Sequence, residues 1–335
     1  MSISHEVIIQ SAYPLSGTLT IPNQVKTTYT TNGTLTHPSG MKTNYPAVLI
    51  VSGSGKGDRD GNLKNMKMNV YKDLANFLTS KGFITLRYDK RGTHQSGGKF
   101  HETGLYDLIE DAVQCVNFLQ NHPKVDREKV LILGHSEGAL IAPAVHKQVP
   151  VSGLVLLAGA AEPSKDLTPR QSEKVYEEMN ETKGFKGWLF RTFKVIEKAR
   201  KQNEKVLQKV TESDKAVMRI KGIKLNAKWL RETMSYNVCE YLEEVTCPVL
   251  AITGEKDLQV PPDHARLIAD IVKGESEWHV ITDMNHMLRT YEGEHTMLRL
   301  MKEYKTQLNQ PINRELLYKM TAWLEKYYNT ELLNA

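Results

Sequence analysis

An alternation of apolar runs and amphipathic segments in the first half of the chain constrains its fold more than any other feature. The runs Ala47–Val51, Phe83–Tyr88 and Val130–Leu133 are short and rich in consecutive apolar residues, which is typical of strands buried on both faces. Segments of helical periodicity, Val70–Ser80 and Leu105–Gln120, separate them. The alternation predicts an α/β fold in which a mostly parallel sheet carries helices on both faces.

The alternation stops for eighty residues and then resumes. Residues 163–242 are rich in Lys, Glu, Met and aromatic residues at helical spacing and show no clear strand. Beyond them, 248–252 and 278–281 are predicted strands, and 312–328 is a closing amphipathic helix. We therefore predict a core made of residues 1–162 and 243–335, interrupted by a helical cap at 163–242.

Within this core, residues 1–44 are expected to form N-terminal strands, because short β-branched runs there are broken by Gly, Pro and Asn. The tetrapeptide GTLT occurs twice, at 17–20 and at 33–36. Two copies in adjacent strands suggest a hairpin or a local insertion rather than a repeat architecture.

A serine between two glycines follows the strand at 130–133. The sequence LILGHSEGALIA places Gly134, Ser136 and Gly138 in a G-x-S-x-G pattern. A serine nucleophile needs a base and a site for the oxyanion, and a sharp strand-to-helix turn would expose it. The N–H of Glu137 would then lie at a helix N-terminus, where negative charge is favoured. A tight Gly/Ser turn without catalytic function is the alternative.

At this point the chain resembles the α/β-hydrolase family. It carries GSGKGDRDG at 53–61, RYDKRG at 87–92 and Asn-His at 285–286 besides GHSEG, a set similar to a branch of esterases and acyl-hydrolases. The resemblance covers residues 45–160 and 245–328 and is weak in the predicted cap. It implies the α/β-hydrolase fold.

The resemblance also implies a triad in the order nucleophile, acid, histidine. Asp257, just beyond a predicted strand, is the candidate acid, and His286, just past the last strand, is the candidate base. His286 would take the proton from Ser136, and Asp257 would orient its ring. A structural turn aspartate is the alternative for Asp257. The rival histidines for the base are His264, His279 and His295.

The glycine-rich loop after the first core strand is expected to supply the second oxyanion donor. The register of the resemblance indicates the N–H of Ser54, with one residue either way left open. The loop matches neither of the two glycine-rich nucleotide-binding patterns.

Asp58, Arg59 and Asp60 are expected to brace the loop through Asp–Arg hydrogen bonds, and a similar role is expected for the neighbouring Asp89 and Arg91. The resemblance expects a glycine where this chain has His94, a replacement that would narrow the entrance of the pocket or move the loop.

Aromatic and apolar residues of the predicted cap are candidates for a substrate pocket that accepts an apolar acyl or aryl group. Packing within the cap is the alternative for each of them. The candidates are Phe185, Trp188, Trp229, Met234 and Tyr236.

Positive charge is concentrated in one part of the chain. The net charge is +5, yet residues 191–224 alone contain eleven Lys/Arg and four Asp/Glu. This stretch could attract an anionic substrate, a membrane surface or nucleic acid, or be a solvated helix face.

No run is apolar enough to cross a membrane, no secretory signal is evident, and the three cysteines show no metal-ligand spacing. A cytoplasmic location with reduced thiols is expected.

These features together predict a serine hydrolase that cleaves small to medium carboxylic esters through an acyl-enzyme. No metal, organic cofactor, nucleic acid or membrane span is expected; the oligomeric state stays open, a homodimer being one option. The same triad would serve a peptidase of the acylaminoacyl type, an acyl thioesterase or an acyltransferase. A non-catalytic binding protein on a hydrolase core is the alternative from another class.

Overall fold

The computed structural model describes residues 2–23, 28–29, 35–36 and 44–328. The strands are β1 (Ser2–Ile9), β2 (Leu15–Pro22), β3 (Thr28–Tyr29), β4 (Leu35–Thr36), β5 (Tyr45–Val51), β6 (Ile84–Tyr88), β7 (Val125–His135), β8 (Gly153–Leu157), β9 (Val217–Ile220), β10 (Ile223–Asn226), β11 (Val249–Gly254) and β12 (Ser276–Ile281). The helices are α1 (Val70–Ser80), α2 (Leu105–Gln120), α3 (Glu137–Gln148), α4 (Ser164–Glu181), α5 (Gly184–Thr192), α6 (Val195–Thr211), α7 (Ala227–Ser235), α8 (Val238–Leu242), α9 (His264–Ile271), α10 (Leu300–Thr306) and α11 (Arg314–Tyr328), with a short 3₁₀ helix at Phe100–Glu102.

Eight strands form the central sheet in the order β1-β2-β6-β5-β7-β8-β11-β12. The pairs β1–β2 and β2–β6 are antiparallel, and the pairs from β6 to β12 are parallel. This confirms the predicted mostly parallel sheet. Parallel neighbours place their carboxyl ends at one edge, where ligands bind in open α/β sheets.

Both faces of the sheet are covered, as the apolar runs predict. Ala47, Leu49 and Val51 of β5 belong to the core cluster that includes α2, α3 and α9. Val48 and Ile50 belong to the cluster that includes α1 and α11. Successive side chains of a strand point to opposite faces, so an uninterrupted apolar run fits a strand between two layers of helices.

The described residues of the two GTLT copies do not pair with each other, which leaves the local insertion of the two expected arrangements. Residues 17–20 lie in β2, between β1 and β6. Leu35–Thr36 pairs instead with Thr28–Tyr29 in a separate two-stranded ladder, and the rest of the second copy, residues 33 and 34, lies outside the described residues.

The segment 163–242 lies between β8 and β11 and forms helices α4 to α8, as the helical spacing predicts. The expectation that it holds no strand is wrong, because β9 and β10 form an antiparallel hairpin. Lys221 and Gly222 form its two-residue turn, with φ of 49° and 83°. Two positive φ values suit the twist of a hairpin, so Gly222 between Ile220 and Ile223 was a local signal for this turn.

The inserted segment packs on the core: α7 contacts α2, and α8 contacts α3 and α9. Across the described ranges, no helix has both the length and the apolarity needed to cross a bilayer. The three cysteines are free thiols.

Candidate active site

Ser136 occupies the sharp turn between β7 and α3. Its backbone has φ 54° and ψ −115°, a conformation with positive φ that a non-glycine residue adopts at a cost. A Cβ on Gly134 would lie 2.3 Å from the carbonyl oxygen of Gly138, and one on Gly138 would lie 2.0 Å from that of Val51. Neighbouring backbone therefore passes too close for a side chain at either glycine.

The loop after β5 lies against this turn. A Cβ on Gly53 would be 3.3 Å from the Ser136 Cβ, so the loop backbone runs directly beside the serine. The Gly53 N–H donates to the Tyr71 hydroxyl at 2.7 Å. Within residues 44–328, the N–H groups of Ser54 and Glu137 have no acceptor. Of the three donors left open by the sequence, Gly53 is therefore occupied, which leaves Ser54 and Gly55.

A chain of hydrogen bonds links this loop to the histidine loop. The Tyr71 hydroxyl lies 2.9 Å from His135 Nδ1, and His135 Nε2 lies 2.8 Å from the carbonyl oxygen of His286. Because that carbonyl only accepts, His135 carries its proton on Nε2 and accepts from Tyr71 at Nδ1. Burial, reinforced by the nearby His286, lowers the pKa of His135 to about 3, so this ring is neutral.

Asp257 and His286 meet beyond the carboxyl ends of the neighbouring strands β11 and β12. His286 Nδ1 lies 2.7 Å from Asp257 Oδ2, and both side chains are buried. Asp257 Oδ1 accepts from the backbone N–H groups of Gln259 and Val260 at 2.8 and 2.9 Å. The carboxylate thus holds the proton of His286 on Nδ1 and leaves Nε2 as the acceptor that a general base needs. The His286 ring is 5.0 Å from that of His135, the residue before Ser136.

The three rival histidines have other partners. His264 Nδ1 accepts from the Ala161 N–H at 3.1 Å, and His279 pairs with Glu277 at 2.7 Å. His295 pairs with Glu303. Among the four candidates, His286 alone is paired with Asp257.

The side chain of Glu137 forms a buried ionic cluster that the sequence did not indicate. Lys90 Nζ lies 2.5 Å from Glu137 Oε2 and donates to the Gly53 carbonyl at 2.7 Å. The indole N–H of Trp229, from α7 of the inserted segment, donates to Glu137 Oε1 at 2.7 Å. Lys90 belongs to the RYDKRG motif, which the sequence analysis identified. Only its contact with Glu137 shows that it neutralises this buried carboxylate. Tyr71 lies in no motif, and no sequence signal indicated it.

A cavity of about 370 Å³ adjoins Ser54 and Glu137. The inserted segment, the loop region around the 3₁₀ helix and the core all contribute to it. Its walls are Ser54, Gly55, Lys90, Arg91, Phe100, His101, Thr103, Leu108, Glu137, Lys224, Leu225, Asn226, Trp229 and Leu230. Trp229 is the predicted pocket residue that the structure places in these walls.

The other four predicted pocket residues lie elsewhere. Phe185 and Trp188 stack on each other at the surface, with 72% and 51% of their area exposed. Tyr236 is buried, and its hydroxyl donates to the Leu140 carbonyl at 2.7 Å. This side chain therefore packs the inserted segment against α3. Met234 is half-buried on α7 outside the cavity walls. Helical spacing predicts a packed face but not what it packs against.

The expected Asp–Arg bracing is present at Arg59 and Asp60, whereas Asp58 instead accepts from the N–H groups of Asp60 and Asn62 at 3.0 and 2.8 Å. Arg59 Nη2 lies 2.8 Å from Asp89 Oδ2, and Arg91 Nη2 lies 2.6 Å from Asp111 Oδ1. Arg87 Nε lies 2.6 Å from Asp60. His94 has a φ of 42°, in the region that favours glycine, which explains why the resemblance expects a glycine there.

Comparison with known proteins agrees with this architecture. The family described as serine aminopeptidase S33 (Hydrolase_4) matches residues 64–292. Esterase EstD of Thermotoga maritima is 26% identical over 283 residues, which are 84% of this chain and 62% of EstD. The chain thus spans less than two thirds of that relative.

Solved structures share the fold at low identity. Est1E from Butyrivibrio proteoclasticus with bound ferulic acid has a TM-score of 0.55 at 17% identity, over 91% of this chain and 98% of that one. The esterase Pf2001 of Pyrococcus furiosus has a TM-score of 0.57 at 16% identity, over 97% and 91%. With the family match covering most of the chain, this protein belongs to the serine aminopeptidase S33 family of α/β hydrolases.

Proposed function

We propose that this protein is a serine carboxylesterase that works through an acyl-enzyme. The observation that carries the proposal is the 2.7 Å pair of His286 and Asp257 beside the strained turn at Ser136. Strain in a non-glycine residue is retained where the surrounding structure enforces it, and such residues cluster at active sites. The esterase names of EstD and Pf2001 support the same reaction class.

The mechanism assigns one step to each group. Ser136 Oγ attacks the ester carbonyl while His286 Nε2 takes its proton. The oxyanion accepts hydrogen bonds from the N–H groups of Ser54 and Glu137, the latter at the N-terminus of α3. His286 then gives its proton to the leaving alcohol, and the acyl group remains on Ser136. A water molecule, deprotonated by His286, releases the acid and restores the serine.

The cavity sets the size of the substrate. A volume of about 370 Å³ lies near the lower end of the range of roughly 300–1,000 Å³ that is usual for ligand pockets. Phe100, Leu108, Trp229 and Leu230 give it apolar walls. It therefore suits a small to medium acyl or aryl group.

The family's description makes an aminopeptidase the second candidate. An aminopeptidase must bind the α-ammonium group of its substrate, for which an unpaired carboxylate is the natural partner. Glu137 is the carboxylate among the cavity walls, and it is already bound by Lys90 and Trp229. Lys224 adds positive charge to the same walls. This charge distribution favours an ester over a peptide N-terminus.

The test compares wild type, Ser136→Ala and the control Ser80→Ala on p-nitrophenyl esters from acetate to decanoate. Ser80 is exposed at the end of α1. Loss of a triad nucleophile should lower kcat by a factor on the order of 10⁶, while Ser80→Ala should match wild type. Leucine p-nitroanilide and acyl thioesters serve as parallel substrates. Faster turnover of the anilide than of every ester would replace the proposal with a peptidase.

A further inference from the structure

The cavity beside Ser54 and Glu137 combines apolar walls with cations that carry no carboxylate partner. Lys224 of β10 is one of its walls. Lys56 Nζ lies 4.6 Å from the centre of the Phe100 ring, which is another wall. Within the described residues, neither lysine has a carboxylate oxygen within 4 Å.

The other two cations of the cavity are neutralised. Lys90 is paired with Glu137 at 2.5 Å, and Arg91 is paired with Asp111 at 2.6 Å. These two pairs are neutral overall. The charges of Lys56 and Lys224 therefore make the cavity positive.

His101 lies in the same walls, beside Lys56. Its Nε2 lies 3.4 Å from Lys56 Nζ, and an ammonium group can only donate, so Nε2 accepts and the proton lies on Nδ1. That Nδ1–H is buried and has no hydrogen-bond partner in the described part of the chain. Burial, with Lys56 and Lys224 nearby, lowers the pKa of His101 and keeps the ring neutral. The Nδ1–H is therefore closed off from the cavity, and a ligand there would meet the exposed ammonium groups of Lys56 and Lys224.

We propose that this cavity binds an ester substrate that carries a carboxylate at the far end of an apolar chain or ring. The apolar walls would hold the chain, and the ammonium groups of Lys224 and Lys56 would bind the carboxylate. This inference rests on the proposed function and specifies its substrate class.

The same geometry assigns a role within the basic stretch 191–224. Of its eleven basic residues, Lys224 is the one found among the described cavity walls. The helix α6, which carries many of the others, contributes none of the walls. The stretch thus places one lysine at the site, and the remainder forms a largely solvated face.

The first experiment compares a charged ester with its neutral match on the acid side. Mono-p-nitrophenyl suberate carries a free carboxylate, and its methyl ester does not. We expect wild type to prefer the charged ester in kcat/KM by a factor on the order of 10 at low salt, and the preference to shrink as salt screens the charges. A second arm compares 6-acetoxyhexanoate with hexyl acetate and tests the alcohol side. Preference for the charged ester in either arm supports the proposal and shows on which side of the ester the carboxylate is bound. Equal kcat/KM for charged and neutral esters in both arms overturns the proposal.

Variants test whether Lys224 is the cause. Lys224→Met should lower the ratio of charged to neutral kcat/KM toward 1, and Lys224→Glu should lower it further, because Lys56 remains. The control is Lys209→Glu, which makes the same change of charge at an exposed position of α6 outside the cavity walls. It should keep the wild-type ratio. A ratio that falls equally in Lys224→Glu and Lys209→Glu would overturn the assignment.

The two proposals fail in different ways. Hydrolysis of the neutral ester that persists in Ser136→Ala would contradict the proposed function alone. The carboxylate site is then tested by calorimetric binding of hexanoate to wild type and Lys224→Glu. Binding that the variant loses supports the site, and equal binding or none overturns it.

Discussion

The indole of Trp229 donates a hydrogen bond to the carboxylate of Glu137, the residue whose backbone N–H we assign to the oxyanion hole. This 2.7 Å contact joins the inserted segment to the first turn of α3. The same carboxylate binds Lys90, which also holds the Gly53 carbonyl of the opposite loop. The inserted segment, which lines the cavity through Trp229, therefore also helps to fix the position of Glu137 in the proposed oxyanion hole.

Replacement of Trp229 by Phe tests this link. The variant keeps an aromatic ring but loses a hydrogen bond to a buried charged group, which is usually worth about 1.5–3 kcal/mol. We expect the free energy of unfolding in urea to fall by about that amount, with a parallel fall in kcat/KM. Trp278→Phe is the control because its side chain is 42% exposed on β12, and it should change stability by less than about 0.5 kcal/mol. Equal effects of the two variants would contradict the link.

Removal of Lys90 should be more damaging than removal of a surface charge. Lys90→Met leaves the carboxylate of Glu137 buried beside a hydrophobic side chain, and breaking a buried pair in this way costs about 3–5 kcal/mol. Lys90→Met with Glu137→Gln should recover much of the loss, because no uncompensated charge then remains. Lys99→Met, which breaks an exposed pair with Glu102, should cost at most about 1 kcal/mol. Urea unfolding of the four proteins measures this, and a double variant as unstable as the single one would refute the explanation.

Tyr71→Phe tests the hydrogen-bond chain between the two loops. The variant deprives the Gly53 N–H of its acceptor and His135 of its donor. We expect kcat to fall by up to about 10², since small displacements of positioning groups have effects of that size. Tyr318→Phe, at an exposed site on α11, should have no effect on kcat. If Tyr71→Phe lowers stability and leaves kcat unchanged, the tyrosine supports the fold and not the site.

The neutral, buried His135 makes stability depend on pH. Its folded pKa of about 3 lies below the usual value near 6.5, so the unfolded chain binds more protons and stability falls as the pH drops through 6.5 toward 3. Between pH 8 and 5 this residue should remove about 2 kcal/mol from the free energy of unfolding. Over the same pH interval, the free energy of unfolding of His135→Gln should fall by about 2 kcal/mol less than that of wild type. The exposed His5→Gln is the control and should follow wild type. Parallel curves for wild type and His135→Gln would contradict the assignment.

How far the sequence predicts this molecule depends on whether a feature is local. The bounds of α1 and α2 follow from helical periodicity alone, and the sharp turn at Ser136 follows from its two glycines. The assignment of Asp257 and His286 came from the resemblance to the α/β-hydrolase family, and the structure pairs them beyond the carboxyl ends of neighbouring parallel strands. The first two features rest on a few adjacent residues, and the pair rests on the motifs that carry the resemblance.

Contacts between distant segments could not be predicted. Trp229 and Glu137 are 92 positions apart, and their hydrogen bond depends on how α7 packs against the core. Phe185 and Trp188 have the spacing of a packed helical face, yet the structure leaves them exposed. The hairpin β9–β10 had a local signal in Gly222, which the surrounding helical composition outweighed.

Covalent labelling of Ser136 tests the central claim most directly. Wild-type protein would be treated with a fluorophosphonate, and esterase activity and the labelled peptide would be followed together over time. The account predicts one phosphonyl group per chain on the peptide that contains Ser136, with labelling and loss of activity in step, and no labelling in Ser136→Ala. Full labelling of Ser136 with activity intact, or loss of activity with the label on another residue, would contradict it.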